Sequence, residues 1–288
     1  MKIYILPCHK SFQPPSQPFI YPQENINYGI EQDFFLYLHK NKDLLTVTPS
    51  AADFHYLPIF WTRWHLNHNY GKDGINELQK EVNSSIIDEN KTFTICQYDD
   101  GPLVRIGKTI QFLSSRKTKK GIDIPLLRNK LQKPLFKPKK KYLASFIGRI
   151  SNHPLRKEMQ ADLSDSKEVY IQDGIVDTKK YINNILSSYI CLSPRGYGGG
   201  SFRFYESMQL GVVPLLIGDI DTRPFKRFIN WDNISYFAKN TKEIKRILIS
   251  TNKTTLLRMG KEANEIYQHF LNFNNWCKYV IEELKNLT

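Results

Sequence analysis

The chain has 288 residues, of which 41% are hydrophobic and 24% are charged, a composition that permits a packed core and excludes wholesale disorder. Its 41 lysines and arginines outnumber 28 acidic residues, and the resulting net charge of +13 favours an acidic partner. No apolar run reaches the ~20 residues that cross a bilayer. Pro7 interrupts the first apolar run too early for a signal peptide. We therefore expect a cytoplasmic monomer without a transmembrane segment.

Apolar runs of strand length alternate with helical patterns along the chain. The strand-like runs are residues 2–6, 53–59, 92–97, 109–113, 142–147, 169–172, 189–192, 212–217 and 234–237. Apolar residues at helical spacing mark residues 75–86, 155–163 and 181–186, and an aromatic helical pattern covers residues 254–287. Strands that alternate with helices predict α/β layers with parallel sheets.

A segment rich in proline and lysine, residues 124–140, interrupts this alternation and predicts a linker between two domains. Much of the positive charge lies in two clusters, Arg116–Lys120 and Lys137–Lys141. No helix-turn-helix, zinc finger or RNA-binding signature accompanies them, so we expect no nucleic acid partner. A nucleotide-sugar donor, an acidic glycan or peripheral contact with a membrane surface suits such charge, and a solvated linker also explains it. The four cysteines have no metal spacing and are expected to be buried free thiols.

A glycine-rich turn lies between two of the apolar runs. Gly198, Gly199 and Gly200 lead into Ser201, a favourable N-cap for a following helix. Backbone N–H groups without neighbouring Cβ atoms, together with the helix dipole, suit a pyrophosphate group. Glycine-rich turns before helices are common, so this geometry alone indicates a phosphate or nucleotide site only in general terms.

The residues around this turn resemble the exostosin family of glycosyltransferases. The resemblance is carried by Pro-Arg-Gly at 194–196, Ser-Phe-Arg-Phe-x-Glu at 201–206, Gly-Val-Val-Pro at 211–214, Pro-Phe at 224–225 and Ile-Asn-Trp at 229–231. Earlier segments that resemble the family in the same order are residues 28–35, 51–58, 98–102 and 145–149. The resemblance covers nearly the whole chain and is most specific over residues 188–231.

The resemblance implies a GT-B fold, in which two Rossmann-like domains face each other across a cleft and a C-terminal helix crosses back to the first domain. The acceptor-binding domain would comprise residues 1–138 and the helix 266–288. The nucleotide-sugar-binding domain would comprise residues 139–265. The implied activity is inverting transfer of a sugar from a UDP-sugar to a glycan hydroxyl. The alternative is a non-catalytic protein that binds glycan or nucleic acid through its basic surface.

The resemblance also implies roles for the residues of the turn. Glu206 would accept hydrogen bonds from the ribose of the donor, although a solvated glutamate or a pair with Arg203 also explains it. Arg203 and Arg195 would bind the diphosphate, because a guanidinium matches phosphate oxygens, and structural ion pairing is the alternative. The remaining predicted donor contacts are Gly200, Ser201 and Arg149.

Many animal exostosins carry a second arginine where this chain has Tyr197. The loss of that cation favours a neutral donor sugar, such as xylose or galactose. Asp219 and Asp221 form an Asp-x-Asp sequence after an apolar run, which in other transferases binds a metal and the diphosphate. Because a helix N-terminus and arginines already supply positive charge here, we read this segment as a loop and expect no metal or other cofactor.

The general base is expected on the acceptor side. Asp99 and Asp100 follow an apolar strand, and two adjacent carboxylates raise the pKa of one of them. The same Asp-Asp-Gly-Pro sequence is also ordinary turn chemistry. Glu31 is the second candidate, although an acidic residue early in a helix is also favoured by the dipole. His9 is the third.

Overall fold

The computed structural model describes residues 1–16, 29–127 and 130–287. The chain forms two compact units, one of Met1–Ile124 with Phe273–Thr288 and the other of Pro125–Asn272. The proline-rich segment belongs to the second unit. Leu131 in this segment is buried, and its N–H donates to Oε1 of Gln209 at 2.9 Å. The boundary between the first and second units therefore lies after residue 124, at the start of the segment, whereas the sequence predicted it after residue 138. The boundary at which the chain returns to the first unit lies after residue 272, whereas the sequence predicted it after residue 265.

Each unit contains one five-stranded parallel sheet. The first sheet joins β1 (Ile3–Ile5), β2 (Phe54–Tyr56), β3 (Thr92–Cys96), β4 (Ile110–Leu113) and β5 (Ile122–Asp123) in chain order. The second contains β6 (Tyr142–Gly148), β7 (Val169–Asp173), β8 (Ser188–Pro194), β9 (Val213–Ile217) and β10 (Tyr236–Ala238). All the pairings are parallel. The predicted α/β class, with two Rossmann-like domains, is confirmed.

The helices cover the faces of these sheets. In chain order the α-helices of the described residues are α1 (Ile30–Lys40), α2 (Trp61–Asn67), α3 (Ile75–Ser85), α4 (Pro154–Leu163), α5 (Thr178–Leu186), α6 (Phe202–Leu210), α7 (Thr241–Ser250), α8 (Lys253–Ile266) and α9 (Trp276–Lys285). No helix in the described part of the chain is both long and apolar enough to cross a membrane.

Aromatic packing holds the first unit together. The ring of Phe93 in β3 lies 5.2 Å from Tyr56 and 5.8 Å from Phe34 between ring centroids. Phe34 in α1 also contacts Trp276 of α9, with centroids 5.9 Å apart. All four side chains are fully buried, so the final helix is part of the core of the first unit.

The second sheet has the strand order β10-β9-β8-β6-β7. If these strands are numbered from 1 within the unit and read from β7 to β10, the order is 2-1-3-4-5. The chain therefore passes from β6 to β7 on one side of β6 and then crosses to β8 on its other side. The carboxyl ends of β6 and β8 therefore form a topological switch point, where open α/β sheets bind ligands. Residues 190–192 and 213–217 are buried on both faces, as expected for central parallel strands.

Each predicted strand region overlaps a strand, whereas two of the helical predictions differ from the structure. The predicted helix 254–287 is broken into α8, a π-helical turn (Tyr267–Leu271) and α9. Asparagines at 272, 274 and 275 are poor helix formers and occupy this break. Helix α2 was not predicted, because its first five residues are all buried and show no amphipathic period. In the predicted early helix 28–35, Tyr28 lies outside the described residues.

Candidate functional site

The carboxyl end of the second sheet brings together most of the predicted donor-binding residues. Gly148 ends β6 and Arg149 follows it, while Pro194 ends β8 and Arg195 follows. The glycine-rich turn then leads to α6, which begins after Ser201. These elements converge at the switch point, so the structure places the predicted residues where the fold has its natural ligand crevice.

Arg203 lies in the first turn of α6 and points toward the end of β6. Its Nη2 donates to the carbonyl of Ile147, and its guanidinium carbon lies 4.4 Å from the ring centroid of Phe146. Gly148 leaves room for this approach, because a Cβ there would lie 2.7 Å from Nη2 and the end of the Arg203 side chain would have to move. Nε of Arg203 is buried and finds no acceptor among the described residues.

Glu206 is the buried acid of α6, with only 2% of its surface exposed. Its carboxylate accepts a hydrogen bond from the hydroxyl of Tyr181 in α5, a contact that the sequence did not reveal. Burial raises the pKa of this tyrosine well above its ordinary value, so the hydroxyl stays protonated and can donate. The burial of Glu206 excludes a solvated helix glutamate.

Arg195 is also buried, and it joins the β8 loop to the loop after β9. Its Nη1 donates to the carboxylate of Asp219, and its Nη2 donates to the carbonyl of Tyr197 at 3.3 Å. Burial acts to raise the pKa of Asp219, but the hydrogen bond and charge of Arg195 lower it on balance. The predicted ion-pair alternative for Arg195 is therefore present in the structure, and the exposed Asp219 carboxylate partly neutralises the guanidinium.

Arg156 of α4 is a residue of this site that sequence reasoning missed. Its Nη1 donates to the carbonyl of Arg149 at 2.9 Å, its Nε to that of Arg195 at 2.9 Å and its Nη2 to that of Pro194 at 3.1 Å. Its guanidinium also lies 5.6 Å from the ring centroid of Phe146. Arg156 thus ties the loops on both sides of the switch point to each other. The available sequence signal was an arginine early in the first helix after the Phe-Ile-Gly sequence at residues 146–148.

The remaining predicted donor contacts differ in exposure. Ser201 is buried at the N-cap position, but its side chain makes no capping hydrogen bond to α6. Gly200 is buried beside it, and the side chain of Arg149 is exposed. The predicted cap is correct in position, and the hydroxyl of Ser201 does not satisfy the first N–H groups of the helix.

The two acids of the Asp-x-Asp sequence are each bound to an arginine. Asp221 accepts two hydrogen bonds of 2.9 Å from Nε and Nη2 of Arg223, and Lys226 lies 3.1 Å from the same carboxylate. Burial acts to raise the pKa of Asp221, but Arg223 lowers it on balance. Within the described ranges, no three histidine, cysteine or acidic side chains are grouped so that they could hold a metal ion.

The candidate bases of the first unit lie mainly at the carboxyl end of its sheet. Asp99 and Asp100 follow β3, and Lys117 pairs with Asp100 at 2.5 Å. The side chain of Asp100 is exposed, whereas that of Asp99 is half-buried beside it. His9 follows β1 and is exposed, with its Nδ1 2.7 Å from the hydroxyl of Ser11.

Glu31 lies inside the first unit, with no exposed surface. Its Oε1 accepts hydrogen bonds from the N–H and hydroxyl of Thr62, at 3.2 and 2.7 Å, and from the N–H of Gln97 at 3.0 Å. Burial raises its pKa, and these hydrogen bonds act in the opposite direction. A carboxyl that connects the first turn of α2 with the residue after β3 in this way positions the loop that carries Asp99.

His65 of α2 is a second residue that sequence reasoning missed. Its ring is fully buried, lies 4.6 Å from the ring of Tyr98 between centroids and makes no hydrogen bond through either nitrogen within the described part of the chain. Burial lowers its pKa to about 4. The neutral imidazole therefore packs directly beneath the loop that leads to Asp99 and Asp100.

Comparison with known proteins gives the family of the chain. A profile of the exostosin GT47 domain matches residues 97–251, which is more than half of the sequence. The chain belongs to the exostosin GT47 family. The matched segment of this exostosin contains Asp99, Asp100 and every predicted donor-binding residue. His9, Glu31 and His65 lie outside it.

Two similar proteins show how far the sequence similarity extends. Over 97 residues this exostosin is 31% identical to the exostosin-1 homolog of Caenorhabditis elegans, a match that covers 33% of this chain and 25% of the relative. Over 97 residues it is 30% identical to an Arabidopsis thaliana protein named "probable glucuronoxylan glucuronosyltransferase", covering 33% and 21%. The chain thus matches about a quarter of the length of these relatives.

A solved structure similar to this exostosin is that of AviGT4, a glycosyltransferase involved in avilamycin A biosynthesis. The two chains are 12% identical, the alignment covers 99% of this chain and 97% of AviGT4, and the TM-score is 0.39. A TM-score this low carries no conclusion about function.

The buried His65 of this exostosin predicts a specific dependence of stability on pH. Between pH about 6.5 and about 4, the unfolded chain binds a proton that the folded chain excludes, so the free energy of unfolding falls as the pH falls. This group should account for about 3 kcal/mol across the window. His65→Phe keeps an aromatic ring against Tyr98 and should lose that part of the pH dependence in urea denaturation.

Val47→Ser provides the control, because it changes an exposed side chain that carries no titratable group. The raised pKa of Asp33, about 6, acts in the opposite direction in all three proteins and cancels in the comparison. Parallel stability curves for wild type and His65→Phe would contradict a neutral buried imidazole.

Proposed function

We propose that this exostosin is an inverting, metal-independent glycosyltransferase that moves a sugar from a UDP-sugar to a glycan hydroxyl. The proposal is supported chiefly by the convergence of Arg195, Arg203, Glu206 and the N-terminus of α6 at one switch point, inside the segment that matches the family. In the GT-B arrangement that we propose, the second unit binds the donor and the first unit binds the acceptor.

The proposed reaction is a single in-line displacement at the anomeric carbon. Negative charge grows on the diphosphate as the bond to the sugar breaks, and fixed positive groups that face this charge lower the barrier. The α6 N-terminus supplies backbone N–H groups that no serine side chain caps, and Arg195 and Arg203 supply guanidinium groups. Arg156 has a positioning role, because it holds the two loops through their carbonyls.

A neutral donor sugar is the second part of the proposal. Tyr197 stands where many animal exostosins carry an arginine, and its side chain is largely exposed. The Arabidopsis relative is named as a glucuronosyltransferase, so a charged donor is the direct competitor. UDP-xylose and UDP-galactose should release UDP in the presence of an acceptor mixture, and UDP-glucuronic acid should release much less. Preferential turnover of UDP-glucuronic acid would contradict this part of the proposal.

Independence from metals is the third part. Asp219 and Asp221 are each engaged by an arginine, which disfavours the binding of a divalent cation by the same carboxylates. The positive charge that a metal would bring to the leaving group is supplied by the arginines and by the helix N-terminus.

The role of Glu206 gives a prediction about donor affinity. If its carboxylate accepts the ribose hydroxyls, Glu206→Gln loses charge-assisted hydrogen bonds worth about 1.5–3 kcal/mol, and UDP binding should weaken by roughly 10- to 150-fold in calorimetric titration. Tyr181→Phe is the control, because it removes the buried hydroxyl that contacts Glu206 but keeps the carboxylate. That variant should keep most of the affinity. Equal losses in both variants would assign Glu206 a structural role.

The general base gives a separate prediction about turnover. Asp99→Asn should lower kcat by about 100- to 10,000-fold while UDP binding survives, and it should remove the acidic limb of the pH–rate profile. Asp100→Asn is the matched control, because it removes the adjacent, exposed carboxylate of the same loop. If Asp100→Asn alone abolishes turnover, the roles of the two acids are reversed. If both variants stay active, neither is the base, and His9 and Glu31 are tested next.

A further inference from the structure

A short cationic loop projects from the second unit before β6. At its start, Leu131 is buried, with its N–H bound to Gln209. At its end, Nζ of Lys140 donates to the carbonyl of Ser188 at 2.5 Å and lies 5.6 Å from the ring centroid of Tyr189. The residues between these two anchors, 132–139, form what we call the 132–139 loop.

Two large apolar side chains form the bend of the 132–139 loop. Leu135 is 98% exposed and Phe136 is 89% exposed. Pro134 and Pro138 flank them, and proline restricts the backbone on each side. Folding of the chain buries almost none of the apolar surface of these two adjacent side chains. Their apolar surface is available to an external partner.

Lysines surround this apolar pair. They are Lys130, Lys133, Lys137, Lys139, Lys140 and Lys141. Within the described residues, none of them forms an ion pair with a carboxylate, and no acidic residue occurs between positions 124 and 157. Burial lowers the pKa of Lys133, and repulsion from Lys137 and Lys130 lowers it further. The loop therefore combines two apolar side chains with uncompensated positive charge.

We propose that the 132–139 loop docks the protein on an anionic lipid bilayer, with Leu135 and Phe136 inserted below the headgroups and the lysines at the surface. The combination of positive charge with exposed apolar side chains favours an anionic bilayer over nucleic acids, acidic glycans or a second copy of this chain. Nucleic acids and acidic glycans attract lysines but offer little to an inserted leucine. A second copy of this chain would present the same positive charge and be repelled. An anionic bilayer uses both the charge and the apolar pair.

The proposal is independent of the sugar-transfer activity, because it concerns a surface outside the switch point. It is tested by co-sedimentation of the full chain with phosphatidylcholine vesicles prepared with and without phosphatidylglycerol. Wild type should bind only the vesicles that contain phosphatidylglycerol, and raising the salt concentration should weaken the binding. Failure to bind these vesicles at low salt would overturn the proposal.

Two variants distinguish insertion of the apolar side chains from attraction by the net charge of the protein. Leu135→Ser with Phe136→Ser should weaken vesicle binding about 10-fold or more, because two apolar anchors are lost. Val47→Ser is the control, because Val47 is 93% exposed but has no lysine within four residues. Both variants change exposed side chains, so their thermal unfolding should match that of wild type. Equal binding by the double variant and wild type would overturn the proposal.

Two double variants that remove the same charge test the role of the lysines around the 132–139 loop. Lys137→Gln with Lys139→Gln should weaken binding by about fivefold per lysine. Lys119→Gln with Lys120→Gln removes the same charge from the other basic cluster and should have a much smaller effect. Equal effects would show attraction to the net charge instead of docking through this loop. Tighter binding to DNA or heparin, unaffected by the change of Leu135 and Phe136, would assign the loop to a polyanion and overturn the proposal.

A fluorescence experiment reports insertion directly. The four native tryptophans are all buried, so Phe136→Trp introduces an exposed reporter at the bend. Its emission should shift to the blue on addition of the phosphatidylglycerol vesicles and become protected from iodide. An unshifted, fully quenched tryptophan in bound protein would rule out insertion.

Discussion

The guanidinium of Arg156 holds the candidate donor site together. It donates to three carbonyl oxygens, one after β6 and two at the end of β8, which are the strands on either side of the switch point. Hydrogen bonds from a charged donor are among the stronger ones in a protein, and carbonyl acceptors leave the positive charge in place. Arg156 thereby fixes the loop from which Arg195 projects.

Phe146 extends this arrangement toward α6. Its ring contacts Arg156 at 5.6 Å and Arg203 at 4.4 Å, so one aromatic side chain connects the arginine that shapes the loops with the arginine proposed to bind the diphosphate. Gly148 leaves room for Arg203 to reach the end of β6. The site therefore depends on a small set of contacts around one strand end, and the glycine-rich turn is only one of its parts.

The strands and the donor residues were predictable because their signals are local. Apolar runs marked the nine longer strands, and the Ser-Phe-Arg-Phe-x-Glu motif marked Arg203 and Glu206 before their positions were known. The two-residue strand β5 left no such run. Sequence spacing could also suggest that Asp99 and Asp100 adjoin a strand end, but it could not distinguish them. In the structure they differ in exposure, because Asp99 is half-buried whereas Asp100 is exposed and contacts Lys117 of the connection between β4 and β5.

The residues that sequence reasoning missed act through tertiary contacts. Tyr181 meets Glu206 from another helix, and His65 packs on Tyr98 across a sequence separation that no motif spans. Glu31 is a predicted candidate base, whereas its burial and its hydrogen bonds to Thr62 of α2 and to Gln97 after β3 favour a positioning role. The exposure of Leu135 and Phe136 was equally hidden, because apolar residues in a linker usually pack against a domain.

The central claim is that the switch point of the second sheet binds a diphosphate without a metal. Calorimetric titration of the wild-type chain with UDP, UMP and uridine in the presence of EDTA tests it most directly. We expect UDP to bind about 100-fold or more tightly than uridine, because only the diphosphate engages the arginines and the α6 N-terminus. Equal affinity for UDP and uridine, or binding of UDP that appears only when manganese replaces EDTA, would contradict the account.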